Sequence, residues 1–227
     1  PPATTRQNHL LIGLGVAAAF RDNLVMPSAA RVHLHSTGDI TVETDMTDIG
    51  TGSYTIIAQT AAEMMGIDIN RVTVLLGNSD FPVSSGSGGQ FGGNSSTSGV
   101  YAACVMLREA VADRLGFSAH ETEFRDGMVI CGDRSVALKE AASAGRLTCE
   151  DAMTWGELTK THQQSTFGAH FVEVGVNSVT GETRVRRMLA VCAAGRILNP
   201  ITARSQVIGA MTMGVGAALS EELSVDT

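Results

Sequence analysis

Residues 31–76 read RVHLHSTGDITVETDMTDIGTGSYTIIAQTAAEMMGIDINRVTVLL, and the spacing of their apolar residues changes twice. On both sides of the turn at residues 36–39 apolar residues alternate with polar ones, which is typical of a β-hairpin. From Tyr54 the apolar residues recur at helical spacing until Gly66, a residue type that commonly ends a helix. Alternation then returns at residues 71–76. A hairpin followed by a helix and a further strand predicts an α+β fold.

The remaining segments follow the same plan of strand pairs and single helices. Residues 9–20 form an apolar run typical of a buried strand, and residues 100–115 carry an apolar stripe at helical spacing. Residues 170–176 and 183–191 flank a glycine-containing turn and predict a long hairpin, after which residues 208–219 predict the last helix. We therefore expect mixed or antiparallel sheets, built from β-hairpins and backed by helices.

Residues 119–162 are a candidate for an inserted subdomain, because they contain a hairpin and a short helix of their own. Within this segment, residues 124–131 and 134–138 read as two strands that are joined at Gly132. The composition of the flanking residues does not mark a linker on either side. The boundaries of the subdomain therefore rest on the strand and helix pattern alone.

The composition excludes several classes of partner and site. The chain carries a formal net charge of −7 and its 16 lysines and arginines are scattered, so a nucleic-acid partner is not expected. No apolar run approaches the roughly 20 residues of a membrane span, and no signal peptide is recognisable, which leaves cytoplasm and periplasm both open. The four cysteines lack CxxC spacing, so a metal site of protein thiolates is not predicted. Because it starts at Pro1, the chain reads as a piece of a longer protein.

Three glycine-containing turns each precede a helix-like segment. They are residues 50–53, residues 86–93, and residues 206–209, which follow Asn199 and Pro200. Glycine lets backbone N–H groups approach a ligand closely, and the first turn of a helix offers donors without intrahelical partners. Three such turns in one acidic chain predict a large, multiply anionic ligand that is bound mainly by backbone and neutral side chains.

Each of these patterns also has a structural explanation. Taken alone, the turn at residues 50–53 is more typical of an ordinary capped helix than of a binding site, and a Gly/Ser-rich segment such as residues 86–99 can serve as a linker. We favour a binding loop for residues 86–99, because they lead directly into a helix with Ser95–Ser98 expected at its cap. Asp45, Asp48 and Asp80 flank the turns, where capping is a more typical task than general-base catalysis.

Residues 13–18 match the dinucleotide-binding pattern G-x-G-x-x-A, which gives a nicotinamide-binding domain as a further alternative. The pattern requires a strand, a tight turn and a helix in succession. Residues 16–20 instead continue the apolar run of the preceding strand. The match is therefore weak on its own.

Taken together, the glycine-containing segments resemble the molybdenum-cofactor-binding subunit of the xanthine dehydrogenase/aldehyde oxidase family, in its bacterial aldehyde-oxidising branch. Residues 45–59 are similar to the family's E-x-G-Q-G-x-x-T turn and helix, and residues 85–99 to its Gly/Ser/Thr pterin loop. Residues 198–200, followed by 206–216, are similar to its N-P…Q-x-x-G…G-x-G segment. The three matches occur in the family's order along nearly the whole chain.

This resemblance implies an oxidoreductase. The intact subunit would oxidise aldehydes or N-heterocycles with oxygen taken from water. Molybdenum would be bound by molybdopterin, often as the cytosine dinucleotide in bacteria, rather than by protein thiolates. Iron–sulfur clusters and FAD would lie on partner subunits or domains, and the assembly could be a homo-oligomer.

The resemblance also implies roles for individual residues. Phe20 and Arg21 would face the substrate funnel, although a solvated arginine at a strand end explains Arg21 equally well. The residues implied to bind the cofactor are Gly50, Thr51, Gly52, Ser95, Ser96, Thr97, Ser98 and Gln206.

Two departures from the family pattern limit what the resemblance implies. The turn carries Thr51 where the family often has glutamine. The family's catalytic glutamate lies in a G-x-G-E motif that would fall beyond Thr227, and Glu221 and Glu222 lack its glycine context. We therefore expect residues 1–227 to be a fragment of a molybdopterin-binding domain that is inactive alone and contains no catalytic residue. A non-catalytic anion- or nucleotide-binding module, or a scaffold domain, is the alternative.

Overall fold

A computed structural model describes residues 5–154 and 156–225 and divides the chain into two units. The terminal unit comprises Pro1–Asp22 and Gln163–Thr227, and the central unit comprises Asn23–His162. The strands are β1 (Arg6–Gln7), β2 (Leu10–Asp22), β3 (Ala29–Leu34), β4 (Ile40–Thr44), β5 (Val72–Leu76), β6 (Thr122–Arg125), β7 (Met128–Cys131), β8 (Arg134–Ala137), β9 (Leu147–Ala152), β10 (Ser165–Asn177) and β11 (Thr183–Ala193). The α-helices are α1 (Ser53–Met65), α2 (Gly92–Leu115), α3 (Leu158–Thr161) and α4 (Pro200–Leu219).

The central unit contains a four-stranded sheet in the order β5-β4-β3-β9. β3 pairs antiparallel with β4 and β9, whereas β4 and β5 run parallel and are connected through α1. Alternate residues of β3 and β4 are buried in a core shared with α1 and α2. The members of this core from these four elements include Ala30, Val32, Leu34, Ile40, Val42, Ile57, Ala61, Met65, Val100, Cys104, Leu107 and Val111. The predicted α+β fold is confirmed.

The parallel pair positions the loops that matter for function. Because β4 and β5 point the same way, their carboxyl ends lie at the same edge of the sheet. Residues 45–52 leave this edge and lead into α1, and residues 77–91 leave it and lead into α2. We call these segments the 45–52 loop and the 77–91 loop. The predicted end of α1 is confirmed, since Gly66 has a left-handed φ of 62° and its N–H bonds the last turn.

The terminal unit contains an antiparallel sheet in the order β1-β2-β10-β11 together with α4. The predicted strand at residues 9–20 is present as β2, but its expected burial is wrong, because residues 13–22 are exposed. The predicted hairpin is present as β10 and β11. Gly13 and Gly15 lie inside β2 with no helix opening after them. The dinucleotide-binding pattern therefore lacks its strand–turn–helix context. Across residues 5–154 and 156–225, no helix combines the length and apolar character that crossing a membrane requires.

Residues 119–162 contribute to two sheets of the central unit. β6, β7 and β8 form a separate three-stranded sheet, whereas β9 pairs with β3 in the main sheet. The first of the two strands expected in this segment is divided, because Asp126 and Gly127 adopt positive φ angles of 54° and 74° and form a tight turn. An inserted subdomain at residues 119–162 stays a prediction.

On the face of the main sheet opposite the helices, Glu43 is surrounded by polar partners. Its Oε2 lies 2.9 Å from Nη1 of Arg31 and 3.3 Å from Nε2 of His33. Arg31 also pairs with Glu150, and Nδ1 of His33 lies 2.8 Å from the hydroxyl oxygen of Thr148. Burial alone would raise the pKa of Glu43, but the neighbouring His33 ring and Arg31 guanidinium outweigh it and hold this pKa below its ordinary value of 4.5.

This cluster predicts a pH-dependent stability. Because the folded-state pKa of Glu43 lies below the unfolded value, ionised Glu43 stabilises the fold above pH 4.5, and that contribution is lost as pH falls through the folded-state pKa. Urea unfolding from pH 7 to pH 3 should therefore show a smaller loss of unfolding free energy for Glu43→Gln than for the wild type. Glu150→Gln is the control, because a half-exposed ion pair contributes little. Parallel wild-type and Glu43→Gln curves would contradict the prediction.

Candidate functional site

The candidate site lies at the edge of the main sheet where β4 and β5 end. Hydrogen bonds join the two loops that leave this edge. The Asp45 N–H donates to the Pro82 carbonyl at 3.0 Å, and the Asp45 carboxylate accepts from the Ser84 N–H. The Ser87 hydroxyl donates to the Thr47 carbonyl. The 45–52 loop and the 77–91 loop are thus attached to each other at two places.

A third segment, residues 23–28, joins the same site. The Met26 N–H donates to the Ser95 hydroxyl at 2.9 Å, and the hydroxyls of Ser28 and Ser84 lie 2.6 Å apart. Met26 and Ser28 were not predicted as site residues. Their partners are 69 and 56 residues away, so no local pattern could have identified the contacts.

The Gly50-Thr51-Gly52 turn begins α1 and is held by Asp48. Gly50 and Gly52 adopt left-handed φ angles of 92° and 87°. One carboxylate oxygen of Asp48 accepts hydrogen bonds from the N–H groups of Gly50 (2.7 Å) and Thr51 (3.1 Å). The other accepts from the Tyr54 N–H at 3.4 Å. The side chain of Asp48 therefore caps the turn, which is the task expected of an aspartate at this position.

Helix α2 begins at Gly92, earlier than expected. Ser95–Ser98 were predicted at the cap of this helix, but the N-cap residue is Phe91 and Ser95, Ser96 and Thr97 are buried in the body of the helix. The cap position is thus corrected. The reason is packing, since a Cβ on Gly92 would lie 3.0 Å from both the Gly86 carbonyl oxygen and the Met46 methyl group. Any larger residue at position 92 would require the Gly86 carbonyl and Met46 to shift by a few tenths of an ångström.

The hydroxyls of this segment already make hydrogen bonds. Thr97 donates to the Gly93 carbonyl at 2.8 Å, and Ser98 donates to the Asn94 carbonyl at 2.8 Å. Each of these hydroxyl oxygens retains acceptor capacity for a ligand N–H or O–H group. The first turn of α2 has neither a side-chain cap nor an acidic residue. The opening of this helix therefore remains favourable for a negatively charged group.

The other predicted site residues belong to the terminal unit. Gln206 is exposed on α4, whose first turn is capped by the Asn199 side chain through the N–H groups of Ile201 (3.0 Å) and Thr202 (3.3 Å). Phe20 and Arg21 lie near the end of β2, and both are exposed. Gly50–Gly52 and Ser95–Ser98 thus belong to the central unit, while Gln206, Phe20 and Arg21 belong to the other unit.

The groups of this site that can donate hydrogen bonds are uncharged, and the site does not resemble a metal centre. No cluster of three or more histidine, cysteine, aspartate or glutamate residues that could hold a metal ion occurs in the described part of the chain. Burial raises the pKa of the Cys104 thiol to about 12, so this cysteine stays protonated in the core. What the glycine-containing loops offer instead is backbone N–H groups and hydroxyls, which are suited to a polar organic ligand.

Comparison with known families identifies the family of the chain. A sequence model of the family described as molybdopterin cofactor-binding domain matches residues 2–227. The chain belongs to this family. It spans about a third of the length of the curated relatives that it matches.

Three relatives illustrate the range of the family. The aldehyde oxidoreductase molybdenum-binding subunit PaoC of Escherichia coli (strain K12) is 65% identical over 225 residues, which are 99% of this chain and 31% of that subunit. The xanthine dehydrogenase molybdenum-binding subunit of Escherichia coli O157:H7 is 27% identical, over 97% of this chain and 32% of that subunit. The nicotine 6-hydroxylase large subunit of Paenarthrobacter nicotinovorans is 27% identical, over 89% of this chain and 27% of its own length.

Solved structures share the fold. Quinoline 2-oxidoreductase from Pseudomonas putida 86 matches 96% of this chain and 31% of its own, with a TM-score of 0.82 and 20% identity. Aldehyde oxidoreductase from Desulfovibrio gigas matches 96% of this chain and 24% of its own, with a TM-score of 0.69 and 23% identity. At these identities the likeness establishes the fold alone.

The site of the central unit fits the family's cofactor in its chemistry. Molybdopterin presents hydrogen-bonding pterin edges and a phosphate, so its protein site needs donors and room more than side-chain metal ligands. At Gly50, no atom lies within 4 Å of where a Cβ would stand, so the turn has open space beside it. The uncapped first turn of α2 supplies donors for a negatively charged group.

Packing beneath the 77–91 loop gives a prediction for two neighbouring glycines. Gly92→Ala should destabilise the protein by about 1–3 kcal/mol, because its Cβ would press on the Gly86 carbonyl. Hydrogen–deuterium exchange in residues 82–91 should also become faster. Gly93→Ala is the matched control, since its Cβ would meet only the flexible end of Ile56 at 3.2 Å. Equal effects of the two substitutions on thermal unfolding and exchange would show that this contact does not hold the loop.

Proposed function

We propose that this chain is the cofactor-binding part of a molybdenum hydroxylase subunit that oxidises aldehydes with water-derived oxygen. The observation that carries the proposal is the 65% identity, over 99% of the chain, to the molybdenum-binding subunit of an aldehyde oxidoreductase. The relative named for xanthine dehydrogenase is only 27% identical. N-heterocycles are therefore the second substrate class to test rather than the first.

The cofactor would be held by both glycine-containing segments of the central unit. The uncapped start of α2 would take the negatively charged phosphate or pyrophosphate, with the Ser95–Ser98 segment forming the first turns of that helix. The Gly50-Thr51-Gly52 turn would take a neutral, hydrogen-bonding edge of the cofactor through the Thr51 hydroxyl, because Asp48 already places a negative charge beside it. Gln206, exposed on α4, would donate a further hydrogen bond.

The described residues contribute binding and orientation rather than proton transfer. When bound, the molybdenum cofactor supplies the oxygen-transfer and two-electron chemistry. The loops are attached to each other by Asp45 and Ser87, so their donors are preorganised before the ligand arrives. Phe20 and Arg21 would line the substrate entrance, and a base outside this chain would move the proton. Electrons would pass to iron–sulfur and FAD partners.

The first test is the molybdenum content of the complete gene product that carries this sequence, purified from cells that make the cofactor. We expect near-stoichiometric molybdenum together with oxidation of benzaldehyde in preference to hypoxanthine. Thr51→Ala and Gln206→Ala should each lower the molybdenum content by about two- to tenfold, because each removes a hydrogen bond to the cofactor.

Two exposed residues serve as matched controls. Thr73→Ala removes an exposed hydroxyl of β5, and Ser205→Ala removes one beside Gln206 on α4. Both should leave the molybdenum content at the wild-type level. A wild-type product without molybdenum would exclude the enzyme and leave an anion-binding or scaffold domain. A loaded product that prefers hypoxanthine would overturn the substrate assignment only.

A further inference from the structure

The carboxylate of Asp48 occupies the backbone donors that a ligand would otherwise use. Two of the three N–H groups between it and Gly52, those of Gly50 and Thr51, donate to one carboxylate oxygen, and the Tyr54 N–H of α1 donates to the other. An anion at this turn would therefore meet a negative charge and donors that are already paired. At the start of α2, neither the N-cap residue Phe91 nor an acidic residue of the first turn supplies such an acceptor.

The hydrogen bonds to Asp48 also determine where the Thr51 side chain of the turn lies. With the Gly50 and Thr51 N–H groups turned toward Asp48, Thr51 is exposed, and its hydroxyl lies 3.5 Å from that of the buried Ser53. The carbonyl of Thr47, just before Asp48, is bound by the Ser87 hydroxyl of the other loop. The residue before Asp48 is thus bound to Ser87 of the 77–91 loop, while the Asp48 side chain fixes the conformation of the turn after it.

We propose that Asp48 is a positioning residue for the cofactor site. It holds the Gly50-Thr51-Gly52 turn in its left-handed conformation, so that the Thr51 hydroxyl faces the cofactor. Its negative charge disfavours an anionic group at this turn, so an uncharged part of the cofactor binds there. Asp48 acts through Thr51 and does not touch the cofactor itself. This inference rests on the proposed function, because it assumes that the turn contacts the cofactor.

The test uses the complete gene product and measures molybdenum and pterin per folded subunit. Asp48→Ala removes all three acceptor contacts and should lower both contents by about tenfold. Asp48→Asn keeps the oxygen that accepts from Gly50 and Thr51 and loses only the charge and the 3.4 Å contact. It should therefore retain at least about half of the wild-type content. Hydrogen–deuterium exchange at residues 46–52 should rise in Asp48→Ala and stay unchanged in Asp48→Asn.

A double substitution separates positioning from a general loss of stability. If Asp48 acts through Thr51, Asp48→Ala combined with Thr51→Ala should lose no more cofactor than Asp48→Ala alone. The matched control is Asp80→Asn, an exposed aspartate of the 77–91 loop, which should behave as the wild type.

The outcomes distinguish this inference from the proposed function. Multiplicative losses in the double variant would overturn it, as would a folded Asp48→Asn protein that loses cofactor like Asp48→Ala. Full cofactor retention in Asp48→Ala would also overturn it. A wild-type product without pterin or molybdenum would instead refute the function on which it rests.

Discussion

The parallel pairing of β4 with β5 constrains everything at the candidate site. Parallel neighbours cannot be joined by a tight turn, so α1 crosses between them and both strands end at one edge of the sheet. Two glycine-containing loops must therefore leave from adjacent positions. Their exposed polar backbone needs partners, and the Asp45 and Ser87 side chains supply them from one loop to the other. The site is a consequence of this topology.

The two helices that start at this edge differ in whether a carboxylate accepts hydrogen bonds from the N–H groups near their first turn. At α1, Asp48 accepts from the Gly50 N–H of the preceding turn and from the Tyr54 N–H of the first helical turn. At α2, the N-cap is Phe91 and the first turn has no side-chain cap. An acidic chain with net charge −7 can thus still offer one position for a negatively charged ligand group, because the local backbone dipole outweighs the distant surface charge.

The differences between expectation and structure have specific causes. The apolar run at residues 124–131 predicts one continuous strand, but Asp126-Gly127, a strong two-residue turn signal, divides it. Serine and threonine are good caps and glycine is a poor helix former, so the sequence predicts a later start for α2 than the structure has. Packing of Gly92 against the Gly86 carbonyl and Met46 overrides both preferences. The roles of Gln206, Phe20 and Arg21 stay predictions.

Most of the longer elements, the α+β class and the glycine-containing turn at residues 50–52 could be derived from local patterns, whereas β9 was not expected and residues 206–209 lie inside α4 rather than in a turn before it. Apolar periodicity and the φ angles that glycine permits are properties of a few neighbouring residues, so they can be read without knowing the rest of the chain. The partners of the site residues could not. The Ser95 hydroxyl accepts from Met26, 69 residues away, and Ser84 donates to Asp45, 39 residues away. Which hydroxyls are buried and which donors stay open depends on the segments that pack together, and only the folded chain brings those segments into contact.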